Sequence, residues 1–152
     1  MINLKPVTKN NWKACVKLSL QPEQQGNLAP NAYTIAESKF ETHHHVRAIY
    51  KDDEVIGMLS YCYEDDPIDT ELYWLFRFML DKEHQGKSYA VKVLELVQKE
   101  VFSHGGKRLR TMCKPTNMVA AKVYQGFGFK QIGKLDDGDI LFEMSLKKCG
   151  KI

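Results

Sequence analysis

The chain has 152 residues, 43% hydrophobic and 27% charged, with a formal net charge of +3. That length suits one domain with a real core, and the composition is that of an ordinary soluble globular protein. No apolar run reaches the ~20 residues that span a bilayer, and a nucleic-acid surface would show a broader basic stripe interleaved with aromatics.

In chain order, Ile2-Asn3-Leu4-Lys5-Pro6-Val7 alternates and predicts a strand. Thr8 is placed to cap a helix carrying Trp12, Cys15, Val16 and Leu20, which Pro22 stops. Gln24 to Asn31 reads as a loop and Tyr33 to Phe40 as a second short helix. Val46 to Tyr50 and Val55 to Tyr63 are strands joined by the turn Lys51-Asp52-Asp53-Glu54. The acidic turn Glu64-Asp65-Asp66-Pro67-Ile68-Asp69 leads into a strand over Leu72 to Leu80. That strand is apolar on both faces, which predicts a central position. A helix with Ala90, Val93, Leu94, Val97 and Val101 on one face runs to His104, and Gly105-Gly106 ends it. Leu109 to Lys114 is a strand, Thr116 to Gly126 a helix, and Lys130 to Gly133 and Ile140 to Leu146 the last two strands. The order β-α-α-β-β-β-α-β-α-β-β predicts a mixed sheet with helices on both faces, an α/β (α+β) class.

The N-terminus Met1-Ile2-Asn3-Leu4-Lys5-Pro6 lacks the apolar centre of a signal peptide. Cys15, Cys62, Cys113 and Cys149 are scattered without metal-ligand spacing, so reduced thiols in a cytoplasm are expected. Cys149-Gly150-Lys151-Ile152 has the outline of a prenylation box, but Gly and Lys occupy its aliphatic positions. His43-His44-His45 invites a metal. Adjacent residues on an extended segment point to opposite sides, however, so three in a row do not readily share an ion, and no metal is expected.

The stretch with the clearest chemistry is Asp81-Lys82-Glu83-His84-Gln85-Gly86-Lys87-Ser88-Tyr89-Ala90. A buried strand precedes it and an amphipathic helix follows. The first N–H groups of such a helix are unpaired and point into the turn, which suits a diphosphate. Basic residues at Lys82, Lys87 and Lys107-Arg108-Leu109-Arg110 are consistent with a local rim around a phosphate-bearing small molecule.

The spacing Gln85-x-x-Ser88-x-Ala90 resembles the pyrophosphate loop, Gln/Arg-x-x-Gly-x-Gly/Ala, of the GNAT superfamily of acetyl-CoA-dependent N-acetyltransferases. Asn117-x-x-Ala120-x-x-x-Tyr124-x-x-x-Gly128-Phe129 is similar to a second GNAT segment, in the family's order and at its usual separation. The resemblance implies a mixed, mostly antiparallel sheet with helices on both faces. It implies that backbone groups of Phe78, Met79 and Leu80 pair with the pantetheine arm. Backbone N–H groups of Gln85, Gly86, Lys87, Ser88, Tyr89 and Ala90 would hold the pyrophosphate. Asn117 would bond the pantetheine, and Tyr124 would be the general acid at the thioester sulfur. Ser88 departs from the pattern, since it replaces the middle glycine; its Cβ is tolerable if φ is negative.

The chemistry has an amine attacking a thioester in a ternary complex, and such an amine is protonated near neutral pH. On the central strand, Phe76 and Arg77 cannot act as the base. Glu71 lies further back, Glu37 or Glu41 could approach from the second helix, and a water chain is an equal alternative. The segments Gln25 to Glu37, Trp74-x-x-Arg77-Phe78-Met79-Leu80-Asp81 and Gln85-Gly86-Lys87 look like the bacterial diamine and spermine/spermidine N-acetyltransferases. Carboxylates at Glu64, Asp65, Asp66, Asp69 and Glu71, with Tyr61, Tyr63, Tyr73 and Trp74, suit a cationic acceptor. Glu37, Glu41, Glu71, Tyr73 and Arg77 are the candidate acceptor residues. Arg77, inside a strand, needs a carboxylate or carbonyl partner and is placed to organise the pocket rather than touch substrate. Another amine (an amino acid, an aminoglycoside, a protein N-terminus) and a silent acyl-CoA sensor are the alternatives. No nucleic acid or membrane partner is expected, and a homodimer is left open.

Overall fold

Alternating and continuous apolar runs become seven strands of one sheet in the structure, a computed structural model described over residues 1–26 and 28–147. Asn27, Cys149 and the prenylation-like terminus lie outside the described residues. The elements are β1 (Ile2–Pro6), α1 (Trp12–Val16), α2 (Asn31–Phe40), β2 (His45–Lys51), β3 (Glu54–Asp65) and β4 (Ile68–Leu80). They continue with α3 (Tyr89–Ser103), β5 (Arg108–Cys113), α4 (Met118–Phe127), β6 (Lys130–Lys134) and β7 (Ile140–Ser145).

The strands lie in the order β1-β2-β3-β4-β5-β7-β6, so β4 takes the central place its apolar run predicts. Every neighbouring pair is antiparallel except β4 and β5. A parallel pair needs a long crossover, and α3 supplies it. Val93, Leu94, Val97 and Val101 of α3 are fully buried against Leu59, Tyr61, Leu75 and Phe142. The opposite sheet face packs Cys15 of α1 with Val46, Ala48 and Met58, and Ile35 of α2 leans on them. Helices therefore cover both faces.

Two local expectations shift. The first helix stops at Val16, and Leu20 lies beyond it. Its entry is held by Asn11 instead of a Thr8 cap. The Asn11 carbonyl oxygen accepts from the Thr8 N–H at 2.7 Å, and its Nδ2 donates to the Pro6 carbonyl and to the Tyr50 hydroxyl. An amide can accept and donate at once; the Thr8 hydroxyl binds locally to the Asn10 N–H. The last helix starts at Met118 and not Thr116, because the Asn117 side chain caps it by accepting from the Ala120 N–H. Gly57 is needed on β3: an added Cβ would stand 2.5 Å from the Met79 carbonyl of β4.

Candidate active site

The site grows from a split in the middle of the sheet. β4 and β5 pair only from Leu72↔Arg108 to Leu75↔Thr111. Beyond that, β4 runs on to Leu80 with β3 alone, and Met112 and Cys113 of β5 pair only with β7. A register shift opposite Ser60/Tyr61 leaves Phe76 bulged out of the β3–β4 ladder. Bulges bend a strand and end pairing on one side. The β4 edge from Phe76 to Leu80 therefore faces the opening without a ladder partner among the described residues.

At the vertex, the Thr111 hydroxyl donates to the Leu75 carbonyl at 2.8 Å. Tyr124 of α4 reaches the same point. Its ring packs on Phe129 and Phe142, with centroids 5.5 and 5.8 Å away. Burial pushes its phenol up to about 12, and hydrogen bonding with the Thr111 side chain opposes that shift. Sequence reading missed Thr111. The available signal is a hydroxyl at an inward position, between Leu109 and Cys113 on an otherwise apolar face.

The turn after β4 is anchored at several points. The Asp81 N–H donates to the Ile56 carbonyl at 2.7 Å, and an Asp81 carboxylate oxygen accepts from the Ser19 N–H at 2.8 Å. The Gln85 side chain donates to the Leu80 carbonyl and to the Gln24 side chain, both at 2.9 Å. That side chain holds the turn and leaves only its backbone N–H for a ligand. Gly86 has φ +73°, and Ser88, the residue before α3, has φ +66° and ψ 14°. The negative φ that would excuse a Cβ at Ser88 is thus not observed. The turn needs a left-handed residue there, and serine adopts it at a cost of about 1 kcal/mol. Lys82 and Lys87 are exposed beside this turn. Asn117 stands at the matching position after β5, so the N-termini of α3 and α4 both follow the strands that split.

The acceptor candidates divide into two groups. Arg77 and Glu37 come together: Arg77 Nη1 lies 2.5 Å from Glu37 Oε1 and 3.2 Å from the buried Thr34 hydroxyl. The His44 ring stands over the same carboxylate, with Nδ1 at 3.5 Å, and meets Phe76 edge-on with centroids 4.9 Å apart. Glu41 follows the end of α2 and is exposed. Tyr73 and Glu71 are elsewhere. Tyr73 is buried on the α3 face beside Tyr61 and His104; simple alternation would place it on the face of Arg77, and the bulge at Phe76 reverses the phase between them. Glu71 pairs with Lys107 at 3.0 Å at the start of the β4–β5 ladder.

The acidic turn and one of the basic clusters also lie away from the opening. The tip of the β3–β4 hairpin, at Asp65↔Ile68, lies four β3 residues beyond Tyr61, roughly 13 Å along the ladder, because a second register shift at Tyr63/Glu64 leaves Thr70 to Leu72 unpaired with β3. There Glu64 accepts from the Trp74 indole, Asp65 meets His43, and Asp69 meets Arg108. Arg108 and Arg110 both bind Glu143, so with Lys107 they rim the closed end of the sheet. A surface groove of about 480 Å³ between Trp12, Ile35 and Arg47 is separate from the split.

The Acetyltransferase (GNAT) family model matches residues 12–129. The chain belongs to the GNAT acetyltransferase family. It is 29% identical over 140 residues to a probable spermine N(1)-acetyltransferase of Bacillus subtilis subsp. natto, covering 89% of this chain and 91% of the relative. Its fold is like that of the spermidine N-acetyltransferase of Vibrio cholerae, solved with CoA and spermine, at TM-score 0.77, 12% identity and 95% coverage of each chain. It is equally like an aminoglycoside acetyltransferase solved with coenzyme A, at TM-score 0.79, 13% identity and 95% coverage of each. This GNAT fold is the mixed α/β sheet with helices on both faces that the sequence predicts. Among the described residues no helix is long and apolar enough to cross a membrane.

Proposed function

We propose that the protein acetylates a primary amine of a polyamine or diamine, using acetyl-CoA, with both substrates bound together. The observation that carries this reading is the split between β4 and β5, with an anchored helix-leading turn at its mouth and a buried phenol at its vertex. The kinship to spermine and spermidine acetyltransferases supports the acceptor class.

Acetyl-CoA fits the residues around the split. The β4 edge from Phe78 to Leu80 has no strand beside it among the described residues and offers backbone donors and acceptors to the amides of a pantetheine arm, with the Leu80 carbonyl already accepting from Gln85. Backbone N–H groups of Gln85, Gly86, Lys87, Ser88, Tyr89 and Ala90 suit its diphosphate, with Lys82 and Lys87 adding positive charge. Asn117 spends its side-chain oxygen on the helix cap and has Nδ2 to donate to the arm. When bound, acetyl-CoA supplies an activated thioester. Tyr124 keeps its proton throughout the neutral range, because burial holds its phenol near 12. It is the acid we assign to the departing sulfur. Thr111 holds the Leu75 carbonyl at the vertex beside this phenol.

Glu37 already serves Arg77, so we assign this pair to shaping the acceptor side and not to proton removal. The test is thiol release from acetyl-CoA against a panel of spermine, spermidine, a short diamine, a monoamine of similar length and an aminoglycoside. Spermine is expected to give the highest kcat/KM. A monoamine that reacts as well as spermine would remove the polyamine reading. Thiol release with none of these amines, despite acetyl-CoA binding, would favour the sensor.

A further inference from the structure

The His43-His44-His45 run does not behave as an extended triplet. His45 begins β2, pairs with Tyr61, and stacks on the α3 side against Tyr61 and His104. His43 instead sits in the turn after α2, and His44 lies between that turn and the strand. The premise that separates neighbouring side chains thus holds for His45 and fails for the other two. Continuing the β2–β3 register from His45↔Tyr61 sets His44 across from Cys62. The outcome is a convergence: His43, His44 and Cys62 each present one ligand atom, and all lie within 4.8 Å of one another. Asp65 closes on the same imidazole, with Oδ2 at 3.1 Å from His43 Nε2.

Two further features set this cluster apart from an ordinary polar surface. His43 Nε2 and His44 Nδ1 are shielded from solvent, and each faces a carboxylate oxygen, of Asp65 at 3.1 Å and of Glu37 at 3.5 Å, outside hydrogen-bonding geometry. Buried polar atoms without a sound hydrogen bond are uncommon. The side chains are also held in place from outside. The His43 ring packs on Tyr63 and the His44 ring on Phe76, each with centroids 4.9 Å apart. Glu37, itself fixed by Arg77, lies behind His44 as an outer carboxylate, the usual support for a ligating imidazole.

We propose that His43, His44 and Cys62 form a three-residue site for a zinc-like divalent cation, with solvent in the fourth position. Two imidazoles and one thiolate are a donor set that zinc accepts in tetrahedral geometry with its fourth position open. Ligands about 2.0–2.3 Å from an ion stand roughly 3.3–3.6 Å apart in a tetrahedron. The three ligand atoms lie within 4.8 Å of one another, so the widest pair closes by no more than about 1.5 Å. Binding forms the Cys62 Sγ–metal bond and releases the thiol proton to solvent. The ion would fasten the chain entering β2 onto β3, beside the bulge at Phe76.

The test uses the full chain carrying Cys149→Ser, stripped with chelator and titrated with Co²⁺ and then Zn²⁺. The expected result is one Co²⁺ per chain with a thiolate-to-cobalt charge-transfer band, displaced by one equivalent of Zn²⁺. Cys62→Ser, a near-isosteric change, removes the band and weakens Zn²⁺ binding by 10-fold or more. His43→Ala weakens it comparably, with circular dichroism confirming that each variant folds. A Co²⁺ complex without the thiolate band, or one unchanged by Cys62→Ser, would overturn the proposal. Neither readout depends on acetyl transfer, so the site stands or falls apart from the catalytic reading.

Discussion

His45 shows how one side chain links packing to pH. Its ring lies between Tyr61 and His104, and burial, with His104 and Arg47 nearby, pushes its pKa from 6.5 down to about 4. The folded protein therefore holds it neutral. A depressed pKa contributes stability that is present above 6.5 and is lost as pH falls through about 4, because the unfolded chain takes up the proton first. His44 is shifted in the same direction, mainly by burial. His45→Phe keeps a stacked ring and removes the titration. Its urea midpoint is expected to fall less than the parent's between pH 6.5 and 4. Parallel curves for the two proteins would show that His45 carries no such linkage.

The element that asks most of its sequence is the turn from β4 into α3. Its position is set by strand and helix patterns that are plain in the sequence, and Asp81 and Gln85 fix its two ends with side-chain hydrogen bonds. Its geometry is less plain, because φ at Ser88 is set by how the turn closes and not by the local residue. Serine at φ +66° is strained where glycine is not. Ser88→Gly is expected to raise stability by up to about 1 kcal/mol, less whatever the added freedom of the unfolded chain costs. Denaturant unfolding measures this. A net loss larger than that entropic cost would show that the Ser88 side chain makes a stabilising contact stronger than the strain it imposes.

Across the whole molecule, what the sequence reveals tracks how local the cause is. Strand and helix order and the central place of β4 follow from periodicity within each segment, and the two GNAT segments are legible by their local resemblance to the family's motifs. Long-range outcomes are harder to read. The destination of the Glu64–Glu71 carboxylates depends on where β4 begins to part from β5, and that depends on a bulge opposite Ser60/Tyr61. Tyr73 and Arg77 part to opposite faces because the bulge at Phe76 reverses the alternation, in a strand whose apolar faces hide the phase. Arg77 announces its need for a partner, and Glu37 answers it from 40 residues away. His43 and His44 converge because a turn, not a strand, carries them. The architecture brings two splayed strands, two helix N-termini and one buried phenol to one end of the sheet, and the central claim is that acetyl transfer happens there. Tyr124→Phe addresses it most directly, since it preserves the ring contacts to Phe129 and Phe142 and deletes only the hydroxyl. Steady-state thiol release with spermine, alongside calorimetric acetyl-CoA affinity on the same sample, is the measurement. The account predicts turnover lower by about 10²-fold or more with affinity nearly unchanged. Turnover equal to the parent's would contradict it, returning Tyr124 to the core and the proton to solvent.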